Sequence, residues 1–168
     1  MSAARRSLPP LRRIVLVVGG GLLALLLLIQ LVPYGRDHAN PPVTQEARLD
    51  PATRAVVTES CADCHSNRTR WPWYTNVAPM SWIAQSDVTG GRKNLNFSRW
   101  DTAQPSIEQV AKAISTGEMP PLKYRLLPNH AKARLDDAQR RTLIAGLRRL
   151  YRTDPPAAIK IVGTQRRQ

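Results

Sequence analysis

Cys61, Cys64 and His65 stand in the pentapeptide Cys61-Ala62-Asp63-Cys64-His65, the spacing that attaches a c-type haem. Each thiol adds across one vinyl group of the porphyrin, and the adjacent imidazole is delivered to one face of the iron as an axial ligand. The expected cofactor is therefore one covalent haem c with its iron. Other uses of two close cysteines ask for more than the chain offers. A thioredoxin-like dithiol needs a βαβ setting, and no alternating β-branched strands flank the segment. A structural zinc site needs four nitrogen or sulfur ligands, but the chain has only these 2 cysteines and, besides His65, only His38 and His130. A free thiol pair in an exported domain would tend to close into a strained disulfide.

A second axial ligand is sought among the methionines. Met119 lies in Gly117-Glu118-Met119-Pro120-Pro121, where proline ends any helix and stiffens a loop. A thioether opposite His65 gives His/Met coordination, so His65 and Met119 are the expected iron ligands. Met80 and His130 are the competitors, Met80 having an equal claim to gap-filling in a core. The cluster Arg70-Trp71-Pro72-Trp73-Tyr74 offers aromatic surface. Trp71, Trp73 and Tyr74 are expected to wall the porphyrin, with an indole N–H or phenol O–H aimed at a propionate, as well as to pack the core. No catalytic residue is assigned; a peroxidase-like site would need an acid or base above the iron, for which Glu118 and His130 are the candidates.

These residues need elements to hold them. Asp50 or Thr53 caps a helix starting near residue 51, with Ala55, Val56 and Ser60 or Cys61 on its inner side, leading into the two cysteines. Residues 80–93 fit a helix burying Trp82, Ile83 and Val88 and stopping at Gly90-Gly91. Residues 95–100 read as an irregular segment pinned by Phe97 and Trp100. Ser106 caps a helix with Ile107, Val110, Ala111 and Ile114 at helical spacing, ended by Gly117. Residues 136–151 form an amphipathic helix with Leu135, Leu143, Ile144, Leu147, Leu150 and Tyr151 inward. Its acidic start and basic end suit the helix dipole, and it is expected to pack across the helix entering the cysteine motif.

Residues 14–32 are apolar apart from Gln30, long enough to cross a bilayer as a helix. Arg5, Arg6, Arg12 and Arg13 precede them and, by the positive-inside rule, leave the rest of the chain on the far side of the membrane. A cleaved signal peptide shares this design, but the apolar run is longer than a usual signal core and Pro33-Tyr34-Gly35 gives no small-x-small cleavage site. The organisation expected is a basic cytoplasmic N-terminus (1–13), a transmembrane anchor (14–32), a Pro-rich spacer (33–52), a haem-binding domain (53–152) and a flexible tail (153–168). The formal charge of +13 divides into +4 over residues 1–13 and +8 over the haem domain. With no Lys/Arg run dominating that domain, nucleic acid is set aside as a partner. Aromatic residues are only 5% of the chain, so a haem's flat apolar surface would supply much of a thin core.

The stretch CADCHSNRTRWPWYTNVAPMSWIAQSDVTGGRKNLNFSRWD, followed by ISTGEMPPLKY and the helix after Leu135, resembles the bacterial family of small membrane-anchored haem-binding domains of cytochrome c type. The likeness covers roughly residues 53–151. It departs from the family's pattern at Leu127-Pro128-Asn129-His130, where a His-Pro order is expected. The resemblance implies an all-α, cytochrome c-like haem domain behind a single N-terminal transmembrane helix. A cytochrome c fold brings its distal ligand from a loop between the haem motif and the final helix, which is where Met119 lies. The expected function is a monohaem cytochrome, not an enzyme, relaying single electrons on the periplasmic side of a bacterial inner membrane to acidic or membrane-bound redox partners. The alternative is a small-ligand sensor or peroxidase-like enzyme with an open or labile distal site.

Overall fold

In the computed structural model, which describes residues 10–160, the chain divides into two compact units. One holds the residues up to Asp37 together with Pro72–Gln85; the other holds His38–Trp71 and the residues from Ser86 onward.

The first unit is built on α1 (Pro10–Ile29), whose side chains are exposed from Leu11 to Leu28 and which is long and apolar enough to cross a membrane. Three successive glycines cost helix propensity in water, yet the helix runs through them, as every backbone group in an apolar span must bond internally. Its regular part ends three residues before the expected boundary at 32. Gln30, Leu31 and Val32 close i→i−3 turns onto Leu27, Leu28 and Ile29, because Pro33 disfavours α conformation in the residue before it. The rest of this unit is a 3₁₀ turn, Trp73–Asn76, and the first turns of α4 (Met80–Asn94).

The second unit contains the main apolar core. α2 (Pro51–Ser60) starts at the N-cap Asp50, whose carboxylate accepts from the Thr53 N–H, and runs into the one-turn helix α3 (Ala62–His65). Its buried residues are Thr53 and Val57; Ala55, expected on the inner side, is exposed, and Val56 is half-buried. A short parallel pair, β1 (Ala103–Pro105) with β2 (Ala158–Lys160), flanks α5 (Ile107–Ser115), α6 (Leu122–Leu126) and α7 (Asp137–Thr153). A 3₁₀ stretch, Pro128–Ala133, links the last two helices. Ser106 with Gln109 and Asp136 with Gln139 form capping boxes that start α5 and α7. α7 packs on both α2 and α5, and Leu143, Leu147 and Leu150 meet Val57, Ile114, Phe97 and Trp100 in one core. Trp100 is fully buried, its indole N–H donating to the Asp154 carbonyl at 2.7 Å.

The fold is mostly helical, as expected, with three corrections. The expected flexible tail begins with an ordered return: the Ala157 N–H donates to the Trp100 carbonyl and β2 then pairs with β1, while residues 161–168 lie outside the described part. Residues 38–49 are extended but do not behave as a free spacer. Their backbone bonds to the 97–100 segment through Thr44 to Ser98, Ala47 to Phe97 and Trp100 to Gln45, and Ala47 is buried. In α4, Gly90-Gly91 continue the helix to Asn94; Val88 is buried, Trp82 half-buried and Ile83 exposed.

Candidate functional site

Cys61, the cap residue between α2 and α3, and Cys64 and His65 on α3 form the centre of the site. The Cys64 and His65 N–H groups both return to the Cys61 carbonyl, at 3.2 and 2.9 Å, and a three-residue spacing puts both cysteines on one face of the turn. Both thiols are free. Burial pushes the Cys61 thiol up to about 12, with the neighbouring Cys64 adding to the shift. Burial also pushes Cys64 up to about 11, with Asp87 and Asp63 raising it further and Lys123 and Arg92 opposing. Reactive redox cysteines have lowered values, so these neutral thiols are unlike a thioredoxin pair. Among the described residues no group of three or more His, Cys, Asp or Glu side chains is placed to hold a metal ion.

His65 is oriented by backbone alone. Its Nδ1 lies 3.1 Å from the Gly91 carbonyl and 3.0 Å from the Leu95 carbonyl. Two acceptors at one ring nitrogen require that nitrogen to carry the proton, so Nε2 keeps its lone pair. This is the tautomer and outer support that metal-bound histidines use. Burial lowers the His65 pKa while the two carbonyls oppose the shift, and a neutral imidazole is the form that ligates.

The two carbonyls are held by packing and by a buried polar network. A Cβ on Gly91 would sit 2.3 Å from the Cys64 carbonyl oxygen, so the glycine lets α4 lie directly against α3. The loop carrying Leu95 is fixed by Asn96: its N–H donates to Gln104 Oε1 at 2.9 Å, its Nδ2 to Asn67 Oδ1 at 2.8 Å, and its Oδ1 accepts from the Ser98 N–H at 2.9 Å. The Phe97 N–H donates back to the His65 carbonyl at 2.8 Å. Arg92 joins the haem motif to residues 39–40, donating to the Ser66 and Ala39 carbonyls, Asn40 Oδ1 and Thr69 Oγ1.

Met119 has a fixed backbone and an open side chain. Its N–H donates to the Ala113 carbonyl at 2.9 Å, while the residue is 38% exposed. Just beyond it on α6, Leu122 and Leu126, one turn apart, are 58% and 71% exposed. The next residue to Leu122, Lys123, pairs with Asp87, which also accepts from the Tyr124 hydroxyl, and both charges act on Cys64. This places an uncovered apolar helix beside the cysteine motif. Sequence reasoning passed over Leu122 and Leu126; the signal available was a leucine pair four apart directly after the Met-Pro-Pro turn.

The aromatic cluster is divided. Trp71 belongs to the second unit, half-buried and stacked on His38 with ring centroids 4.7 Å apart, and its indole N–H is buried with no acceptor among the described residues. Trp73 and Tyr74 belong to the first unit, edge to face at 6.1 Å, with Trp73 78% exposed. Met80 is in that unit as well, half-buried. His130 stands edge-on to the Tyr124 ring at 5.0 Å, and Glu118 is exposed.

A sequence model describing a haem-binding domain matches residues 24–149 of the chain. No curated protein and no solved structure matches it.

Proposed function

This chain belongs to the haem-binding domain family, and from that premise we propose that it is a membrane-anchored, periplasmic monohaem cytochrome of c type that relays single electrons. The observation that carries the reading is the paired carbonyls on His65 Nδ1, which present Nε2 as a ligand beside two neutral, unbridged thiols. A haem bound here supplies reversible exchange between ferric and ferrous iron.

The chain's own residues have distinct tasks in this reading. Cys61 and Cys64 would hold the haem through thioethers, each S–H adding across one vinyl double bond. His65 would hold the iron through Nε2, the ring nitrogen left unprotonated by the carbonyls at Nδ1. Met119 would hold it from the other side, on a loop whose backbone is tied to α5, and Leu122 and Leu126 lie on apolar surface that a porphyrin would cover. The unpartnered indole N–H of Trp71 is a donor suited to a propionate. A haem held by both His65 and Met119 would leave no place for a substrate, and the work proposed for the protein is electron transfer rather than catalysis. Its excess of positive charge favours acidic partners in brief encounters, and α1, kept as an anchor in a bacterial inner membrane, confines those encounters to the membrane surface.

The exposure of Met119 favours one rival, a site whose distal ligand leaves readily and admits CO, NO or peroxide, with Glu118 or His130 as acid or base. One optical experiment decides between them. Spectra of the oxidised, reduced and CO-treated protein are expected to show a six-coordinate haem with the near-infrared sulfur-to-ferric-iron band and no CO binding. Ready CO binding by the ferrous parent would replace the cytochrome reading with the ligand-binding one.

A further inference from the structure

We infer that the Trp73 segment, 72–85, is a membrane-interface platform that seats on phospholipid at the far end of α1. The inference rests on the reading of α1 as a retained anchor. The segment and α1 belong to one compact unit. Gln30, the only polar side chain at the end of the apolar span, is committed to this segment. Its side-chain amide meets Ala78 in both directions: Nε2 donates to the Ala78 carbonyl at 3.0 Å, as well as to the Leu26 carbonyl of α1, and Oε1 accepts from the Ala78 N–H at 2.9 Å. Oε1 also accepts from Arg36 at 2.8 Å. The chain then turns at Gly35, whose φ of 78° needs glycine and whose missing side chain lets the backbone lie on the Ser81 carbonyl of α4.

These contacts fix the height of residues 72–85. Since Gln30 directly follows the last turn of a lipid-length helix, Ala78 is held at the level where hydrocarbon gives way to headgroups. Within five residues of Ala78 the unit exposes Trp73, Val77 and Ile83, and four residues past Gln30 it exposes Tyr34. Tryptophan and tyrosine concentrate at this depth, one end of the ring in the acyl boundary and the other among polar groups. The side chains of α1 from Leu11 to Leu28 are exposed and the same unit carries this patch, so the occupant proposed is the bilayer itself. Trp73 is thereby assigned to lipid, not to a porphyrin wall.

The test uses the haem-loaded full chain in phospholipid nanodiscs, after N-terminal sequencing has shown residues 14–32 intact; a chain found cleaved before Tyr34 would overturn the anchor reading itself. Benzoylphenylalanine placed at position 73, in protein whose haem spectrum matches the parent, should form phospholipid adducts on irradiation. Hydroxyl-radical footprinting of the unsubstituted chain should find Trp73 largely protected from oxidation despite its exposure in the polypeptide. An intact, membrane-bound chain that gives adducts to polypeptide only, or none, with Trp73 oxidised as readily as a free indole, overturns the platform and leaves the anchor standing.

Discussion

His65 and Met119, the two side chains proposed to meet the iron, stand in opposite kinds of surroundings. Around His65 the polypeptide finishes the site: two carbonyls fix the ring, a buried network of Asn96, Asn67, Ser98 and Gln104 holds one of them, and Gly91 admits α4 against the cysteine turn. Around Met119 the polypeptide stops short, fixing the backbone through Ala113 and leaving the thioether and two leucines open. Uncovered apolar surface of that kind has its driving force still to be realised. On that contrast, polypeptide contacts are expected to set the order of the His65 side, and a bound haem is expected to contribute most of the order on the Met119 side. Binding energy is then folding energy mainly on one side of the site.

The largest effect should come from removing both attachments to α3. Cys61→Ser with Cys64→Ser, matured in a host with cytochrome c assembly machinery, should lose all haem to acid–acetone, while the parent retains it with the polypeptide. Haem extracted from the parent would end the thioether claim. Next is Gly91→Ala, which brings a methyl against the Cys64 carbonyl and must push α4 away from α3. Overpacking of this sort costs about 1–3 kcal/mol. Urea titration should register the loss in the haem-free protein too, because that contact exists without the cofactor.

Met119→Ala should behave in the reverse manner. Exposed substitutions usually change stability by less than about 0.5 kcal/mol, so the haem-free form should scarcely respond. In the haem-loaded form the near-infrared band should vanish, the reduction potential fall, and ferrous CO binding appear, since a thioether favours ferrous iron more than water does. Met80→Ala should produce none of these spectral changes. An unchanged spectrum and potential in Met119→Ala would remove it as a ligand and with it half of the comparison.

What could be read from the sequence follows the same division between local and non-local causes. The haem motif, the Ser106 and Asp136 caps and the leucine stripe of α7 are patterns within a few residues, and each appears where periodicity and capping chemistry put it. The carbonyls that orient His65 have no side-chain signature, since any residue type supplies a carbonyl. Gly90-Gly91 read as the end of α4 because glycine commonly caps a helix C-terminus; their use as a notch depends on a chain segment 27 positions from Gly91, at Cys64, that spacing alone does not bring near. Residues 38–49 looked like a spacer because prolines and mixed charge hide any period, yet their partners are backbone groups of the 97–100 loop. Trp73 and Tyr74 were grouped with Trp71 by adjacency, and Pro72 parts them into different units.

The smallest effect tests whether the His65 side truly stands alone. Asp50 caps α2, the helix that delivers Cys61, and its carboxylate accepts from both the N–H and the hydroxyl of Thr53, at 3.1 and 2.8 Å. The Thr53 hydroxyl and N–H, with the nearby Arg149 guanidinium, hold the Asp50 carboxyl below its ordinary value of 3.8. A depressed folded-state pKa gives stability that is fully present above the unfolded value and is lost as pH falls through the folded one. The contribution should therefore be constant near neutrality and disappear only below about pH 4. Asp50→Ala should cost about 1 kcal/mol, the usual worth of an N-cap, and should flatten this acid limb. Because the cap acts on polypeptide that is already formed, the loss should be the same with and without haem, whereas Met119→Ala should weaken the haem-loaded form alone. A cap effect that appears only after haem is attached would mean that α2 and α3 also wait for the cofactor, and the contrast between the two sides of the site would then be gone.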